Sequence, residues 1–151
     1  MTPVPFTLQP FAVILTGMLL GPELGFAALA VYLAEGAAGL PVFTPAGLPG
    51  LARLLGPTAG YLFAYPVAAA IAGAVPRLLP RIKRFAAFAL GGVLAMLTVY
   101  LSGALWFSHA LHQPVTATLA GAVLPFAASD VVKICAAAGI ASALQNSRET
   151  R

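Results

Sequence analysis

Long apolar runs, separated by short groups of polar residues, glycines and prolines, dominate the pattern of this chain. The runs cover residues 6–20, 23–39, 59–75, 85–107 and 115–143. Each predicts a helix long enough to lie in a membrane or cross it. The first two runs meet at Gly21 and Pro22, which predicts a tight helical hairpin. Pro125 interrupts the last run, and we expect its helix to restart at Ser129 and Asp130.

Residues 39–58, between the second and third runs, hold a helix breaker every few positions. The breakers are Gly39, Pro41, Pro45, Gly47, Pro49, Gly50, Gly56 and Pro57. A spanning helix cannot form through this spacing, and irregular backbone at a membrane is tolerated only against protein, water or a cavity. We therefore predict an irregular loop that ends in a sharp turn at Gly56–Pro57. Thr58 is expected to cap the next helix through its hydroxyl.

Composition places the chain in the membrane. Hydrophobic residues make up 60% of the 151 residues and charged residues only 8%, whereas soluble domains carry about 25% charged residues. The fold class we expect is an all-α integral membrane protein, one domain over residues 1–151, built as a compact bundle of about five transmembrane helices. The fifteen glycines and the alanine-rich runs suit helices packed through small residues.

We interpret the positive charge as a signal for the orientation of the chain in the membrane. The formal net charge is +4, but half of the eight basic residues lie within residues 77–84, and Arg148 and Arg151 lie at the C-terminus. A clustered arrangement of this kind follows the positive-inside rule rather than the pattern of a nucleic-acid interface. We expect residues 77–84 and the C-terminus in the cytoplasm, with the loop 39–58 and the N-terminus outside. Five crossings from an external start are an awkward topology, so we expect either a further helix ahead of Met1 or a chain that is a short variant.

Catalytic and metal-binding patterns are missing from the sequence. It has no nucleophile elbow and no Walker-type phosphate loop, so we expect neither an enzyme nor a resident cofactor. Cys135 is the single cysteine, which excludes a disulfide or thiolate-metal framework within the chain. His109 and His112 share a helix face, but zinc needs three or four ligands. We interpret the two histidines as membrane-interface residues.

Asp130 and Lys133 are the most costly residues of the chain, because an ionised side chain at membrane depth costs about 2.5–3.5 kcal/mol on insertion scales. Their i,i+3 spacing puts them on one helix face. If the helix restarts at Ser129, its N-terminal dipole stabilises the carboxylate. The pair is either a structural ion pair or part of a binding site. We favour a binding site, since a pair that only neutralises itself contributes little to stability.

A second polar group lies around residues 53–65. Tyr61 and Tyr65, four residues apart, share a helix face, and Gly60 beside them is expected to leave backbone accessible. Arg53 is either an interfacial residue or an anchor for a ligand carboxylate, whose shape suits a guanidinium group. Gln9 presents an amide donor and acceptor, which could bind ligand or satisfy local backbone.

Six motifs in this order resemble those of the BioY family, the biotin-specific substrate-capture subunits of energy-coupling-factor (ECF) transporters. They are PVPFTLQP (3–10), AVILTG (12–17), LLGP (19–22), GLPVF (39–43), LGPTAGYL (55–62) and VLPF (123–126) leading to DVVK (130–133). The resemblance covers essentially the whole chain. Two departures are Ala59, where a second glycine is usual, and Glu35, where the family is usually apolar.

The resemblance implies a multi-pass protein of a bacterial plasma membrane, with six helices in the family, that binds biotin near the external face. It also implies docking, within the lipid bilayer, on a transmembrane coupling subunit that carries two ABC-type ATPases. The family's first helix, which contributes small residues to docking, precedes the region matched here. Other interpretations are a capture subunit for another vitamin and a structural membrane subunit without a ligand.

The resemblance implies that Asp130, Lys133 and the motif residues of 56–61 take part in biotin binding, and the chemistry of biotin predicts the individual contacts. Asp130 would accept a hydrogen bond from a ureido N–H, and Lys133 or Gln9 would donate to the ureido carbonyl. Aromatic rings would cover the ring system, and a guanidinium would hold the carboxylate. The candidate ligand-binding residues are Gln9, Arg53, Gly56, Pro57, Thr58, Gly60, Tyr61, Tyr65, Asp130 and Lys133.

Overall fold

The computed structural model of the protein describes residues 7–43, 50–115 and 124–149. These ranges contain helices and irregular connections but no strand, so the all-α prediction is confirmed. The helices are α1 (Gln9–Leu20), α2 (Pro22–Ala37), α3 (Leu51–Leu54), α4 (Ala59–Leu78), α5 (Arg84–Leu111) and α6 (Leu124–Glu149). Residues 44–49 of the predicted loop and most of the lead-in to the last helix, 116–123, lie outside the described residues.

Three helices of the described chain are long and apolar enough to cross a membrane: α4, α5 and residues Ala128–Ser147 of α6. The hairpin helices α1 and α2 have 12 and 16 residues. At a rise of about 1.5 Å per residue they extend roughly 18 and 24 Å, less than the ~30 Å of a hydrocarbon core. The bundle of about five helices therefore combines three full-length spans with a shorter hairpin.

The last helix differs from its prediction. It runs without interruption from Leu124, so Asp130 is its seventh residue and its first turn holds no acidic side chain. The predicted restart at Ser129 is wrong, because Pro125 stands at the second helical position, where its missing N–H breaks no intrahelical bond. The predicted end of α4 at residue 75, just before Pro76, is also wrong. Pro76 lies within the last turn of that helix, which continues to Leu78.

Glycines bring the helices of the bundle into backbone contact. A Cβ atom on Gly17 of α1 would overlap the backbone of Ala69 in α4. A Cβ atom on Gly73 of α4 would overlap the carbonyl oxygen of Gly17. The central helix α4 contacts α1, α2, α3 and α5, while α6 packs against α1 and α5. Small residues thus set the spacing of the helices around α4, as the composition predicted.

Polar contacts join the elements at one end of the bundle. The Arg77 guanidinium lies 2.9 Å from the Glu23 carboxylate, which ties the end of α4 to the start of α2. Arg84 Nη1 donates to Asn146 Oδ1 at 2.8 Å, which ties the start of α5 to the end of α6. The basic loop, the α1–α2 turn and the C-terminal part of α6 therefore share one end. The predicted topology requires this arrangement.

Replacing a contact glycine tests this packing. Because the three atoms nearest to the new methyl group of Gly73→Ala would all be backbone atoms of α1 and of the turn at Gly21 and Pro22, we expect a loss of about 1–3 kcal/mol of stability, as for other overpacked cores. The measurement is thermal unfolding in detergent. Gly139→Ala is the matched control, since its methyl group would meet no described atom within 4 Å, and it should leave the Tm unchanged or raise it slightly. Equal melting of the two variants would contradict this packing.

Candidate functional site

A pocket of about 620 Å³, counted with its open mouth, lies at the end of the bundle away from the basic loop. All the long helices of the described chain except α2 contribute to it. Its lining consists of Thr7, Gln9, Pro10, Arg53, Thr58, Tyr61, Leu62, Tyr65, Met96, Val99, Tyr100, Asp130 and Lys133.

An ion pair forms one wall of the pocket. Asp130 and Lys133 are buried, with 4% and 8% of their surface exposed. Lys133 Nζ donates to Asp130 Oδ1 at 2.7 Å, and the Tyr100 hydroxyl donates to Oδ2 of the same carboxylate. Each oxygen of the carboxylate therefore has one donor, and each keeps a lone-pair site for another.

The source of the carboxylate's stabilisation differs from the prediction. Asp130 lies beyond the first turn of α6, so the helix N-terminal dipole, which falls off within one turn, is not its support. A cation and a phenol hydroxyl replace it. Sequence reasoning missed Tyr100, which lies 30 positions upstream on another helix. A polar-tipped ring within an apolar run was the only signal for it.

Tyr61 and Tyr65 share the buried face of α4 and both line the pocket, as their spacing predicted. The Tyr61 ring rests on Gly103 of α5, where a Cβ atom would overlap the ring. Thr58 is the N-cap residue of α4, but its side chain makes no capping hydrogen bond. The predicted hydroxyl cap is therefore wrong, and this side chain contributes to the pocket lining instead.

The motif glycines of residues 56–60 contact α5. Trp106 Nε1 donates to the carbonyl oxygen of Gly56 at 2.9 Å. Ser102 Oγ donates to the carbonyl oxygen of Gly60 at 2.8 Å, and a Cβ atom on Gly60 would overlap Trp106. The expectation that Gly60 leaves bare backbone is wrong, because α5 covers it. Gly56, Pro57 and Gly60 are not among the residues that line the pocket.

Gln9 and Arg53 complete the polar lining of the pocket. Gln9 Nε2 donates to the Tyr32 hydroxyl at 2.7 Å, and that hydroxyl donates to the carbonyl oxygen of Val42 at 3.2 Å. This chain of hydrogen bonds fixes the Gln9 amide between α1, α2 and the loop after α2. Arg53, on the short helix α3, also lines the pocket. A cation and an amide thus lie at the same pocket as the ion pair.

The described residues contain no group of three or more histidine, cysteine or acidic side chains placed to hold a metal ion. His109 and His112 stack with their ring centroids 6.5 Å apart. The polar groups that line the pocket are hydroxyls, an amide, two cations and a carboxylate. Such a set suits an organic ligand that carries both donors and acceptors.

Comparisons with known proteins agree on one family. The sequence model of the BioY family matches residues 1–150. A probable biotin transporter BioY of Pyrococcus horikoshii is 42% identical over 144 residues, which cover 95% of this chain and 82% of the relative. The biotin transporter BioY of Thermotoga maritima is 39% identical over the same shares of both chains.

A solved structure gives the same result for the fold. The crystal structure of the S-component for biotin from an ECF-type ABC transporter superposes with a TM-score of 0.88 at 29% identity. The match covers 97% of this chain and 78% of that one. The sequence match over nearly the full length and the shared bundle lead to one conclusion: this chain belongs to the BioY family.

Proposed function

We propose that this protein is the biotin-capture subunit of an ECF transporter and acts in biotin uptake. The observation that carries the proposal is the buried Asp130–Lys133 pair in the wall of an open pocket. The biotin transporters among its relatives and the biotin S-component with the same fold support it.

The energetics of the ion pair favour a role in binding. Taking two charges out of water costs several kcal/mol per ion, and their mutual attraction repays that cost only with good geometry and further hydrogen bonds. Apolar residues would stabilise the bundle as well or better. A ligand with matching donors and acceptors gives the pair a function that apolar residues cannot perform.

Biotin offers such a set of groups. Its ureido ring has two N–H donors and a carbonyl acceptor, and its tail ends in a carboxylate. In our proposal Asp130 accepts from a ureido N–H, and Lys133 or Gln9 donates to the carbonyl. Analogues that lack one of these atoms would leave a buried protein group unpaired, which is the physical basis of selectivity.

The apolar part of biotin suits the aromatic part of the pocket. Tyr61 and Tyr65 lie on one face of α4 and would cover the fused rings. Arg53, which also lines the pocket, would bind the carboxylate, for which its planar guanidinium is well shaped. Gly56, Pro57 and Gly60 would act indirectly, by holding the start of α4 against α5.

The proposal includes orientation and partners. With the basic residues 77–84 in the cytoplasm by the positive-inside rule, the pocket at the other end of the bundle opens to the outside. The chain would deliver biotin together with a transmembrane coupling subunit and two ATP-binding-cassette ATPases. ATP hydrolysis would take place on those partners, because this sequence lacks a phosphate-binding loop.

Breaking the ion pair should weaken biotin binding strongly. We expect Asp130→Asn or Lys133→Ala to weaken biotin binding by at least about 30-fold, since breaking a buried charge pair at a binding site costs about 2 kcal/mol or more. Calorimetric titration in detergent measures this. The double variant D130N/K133M is the control for folding, because it removes both charges and keeps an acceptor for the Tyr100 hydroxyl. It should melt near the wild-type temperature and still fail to bind.

Unchanged biotin affinity in these variants would contradict the assignment of the site. The wild-type protein tests the function itself, because a ligand that binds the folded state raises the Tm. Stabilisation by another vitamin in place of biotin would indicate a different substrate. Stabilisation by none of them would indicate a structural subunit.

Cysteine labelling tests the orientation. In a Cys135→Ala background, Leu55→Cys and Arg81→Cys place thiols at exposed positions near the pocket end and in the basic loop. In right-side-out vesicles a membrane-impermeant maleimide should label L55C directly and R81C only after lysis. The reverse result would place the pocket in the cytoplasm and contradict the proposed direction of uptake.

A further inference from the structure

The hydroxyl of Tyr61 has no hydrogen-bond partner among the residues that the structure describes. Only 8% of this residue is exposed, and the hydroxyl oxygen itself is buried. The side chain lines the pocket that holds the ion pair. A buried hydroxyl without a partner costs free energy, so an unpaired one in a folded protein requires an explanation.

The Tyr61 side chain has little freedom to move its hydroxyl elsewhere. Its ring lies against Gly103 of α5 so closely that a Cβ atom there would overlap three ring atoms. Ser102, the neighbour of Gly103, is hydrogen-bonded to the carbonyl oxygen of Gly60, next to Tyr61 in α4. The contact with Gly103 and the hydrogen bond to the adjacent backbone therefore restrict the movement of the ring, which lines the pocket.

Three other side chains that line the pocket donate to acceptors within the protein. The Tyr100 proton and one Lys133 proton go to Asp130, and Gln9 Nε2 donates to Tyr32. The Tyr61 proton has no such acceptor in the described chain. This hydroxyl can therefore donate to a ligand without losing a bond inside the protein.

We propose that the Tyr61 hydroxyl donates a hydrogen bond to the carbonyl oxygen of the ligand's ring urea, which makes Tyr61 a specificity-determining residue as well as a ring cover. This inference rests on the proposed function, biotin capture. A urea carbonyl has two lone pairs, so the bond from Tyr61 is compatible with a second bond from Lys133 or Gln9. Asp130, an acceptor, would bind the adjacent N–H.

The test compares Tyr61→Phe with the wild-type protein on three ligands. They are biotin, an analogue with sulfur in place of the ring carbonyl oxygen, and the amide of the biotin carboxyl group. Because sulfur is a weak acceptor, Y61F should lose about threefold to tenfold in affinity for biotin and for the amide, but less than twofold for the thio analogue. Calorimetric titration in detergent gives the three ratios.

Thermal unfolding without ligand gives a second measurement, in which Y61F should show no loss of stability. Y61F removes a hydroxyl that the fold does not use, so its Tm should equal or exceed the wild-type value. Tyr32→Phe is the matched control, because it makes the same chemical change at a hydroxyl bonded to both Gln9 and Val42. Its Tm should fall by about 2–4 °C.

Three results would overturn the inference. Equal binding of biotin by Y61F and wild type would show that the ligand does not use the hydroxyl. If Y61F and wild type bind the amide equally well, although Y61F binds biotin more weakly, the Tyr61 hydroxyl donates to the biotin carboxylate and not to the ring carbonyl. A lower Tm for Y61F would reveal a partner within the fold. If wild type itself fails to bind biotin, the proposed function fails, which is a separate outcome.

Discussion

A buried ion pair in an apolar helix bundle is the constraint on which this structure depends. Asp130 and Lys133 lie one turn apart on α6 with almost no exposed surface, and the membrane around the bundle offers them no water. Their charges are tolerable because each partner neutralises the other and Tyr100 adds a hydrogen bond to the carboxylate. The ion pair and the Tyr100 hydrogen bond stabilise the buried charges. The Asp130 carboxylate, which lines the pocket, keeps lone-pair sites for a ligand.

The pocket exists because close packing elsewhere holds the helices in fixed positions. Gly17 and Gly73 let the backbones of α1 and α4 touch, and Gly103 gives the Tyr61 ring a flat surface on α5. Backbone contacts of this kind leave little room for sliding, since closely packed interiors respond to changes as small as one methylene. The polar side chains at the pocket end therefore stand in a preorganised geometry, which reduces the entropy lost on binding.

The sequence predicts the helices well because length and apolarity in a membrane protein restrict the choice to spanning helices. It also predicts the juxtaposition of Asp130 and Lys133, since i,i+3 spacing alone places them together. The contact of Tyr100 with Asp130 depends on how α5 and α6 cross, and no local pattern encodes that crossing. The same limit explains the burial of Gly60 under α5. The predicted interruption of the last helix at Pro125 is wrong because proline, which breaks the interior of a helix, is tolerated in its first turn.

A structure of the protein crystallised with biotin tests the central claim most directly. The account predicts the ureido ring within hydrogen-bonding distance of the Asp130 carboxylate, between the ion pair and the tyrosines of α4. Biotin bound at another place, with Asp130 paired only to Lys133 and Tyr100, would contradict it.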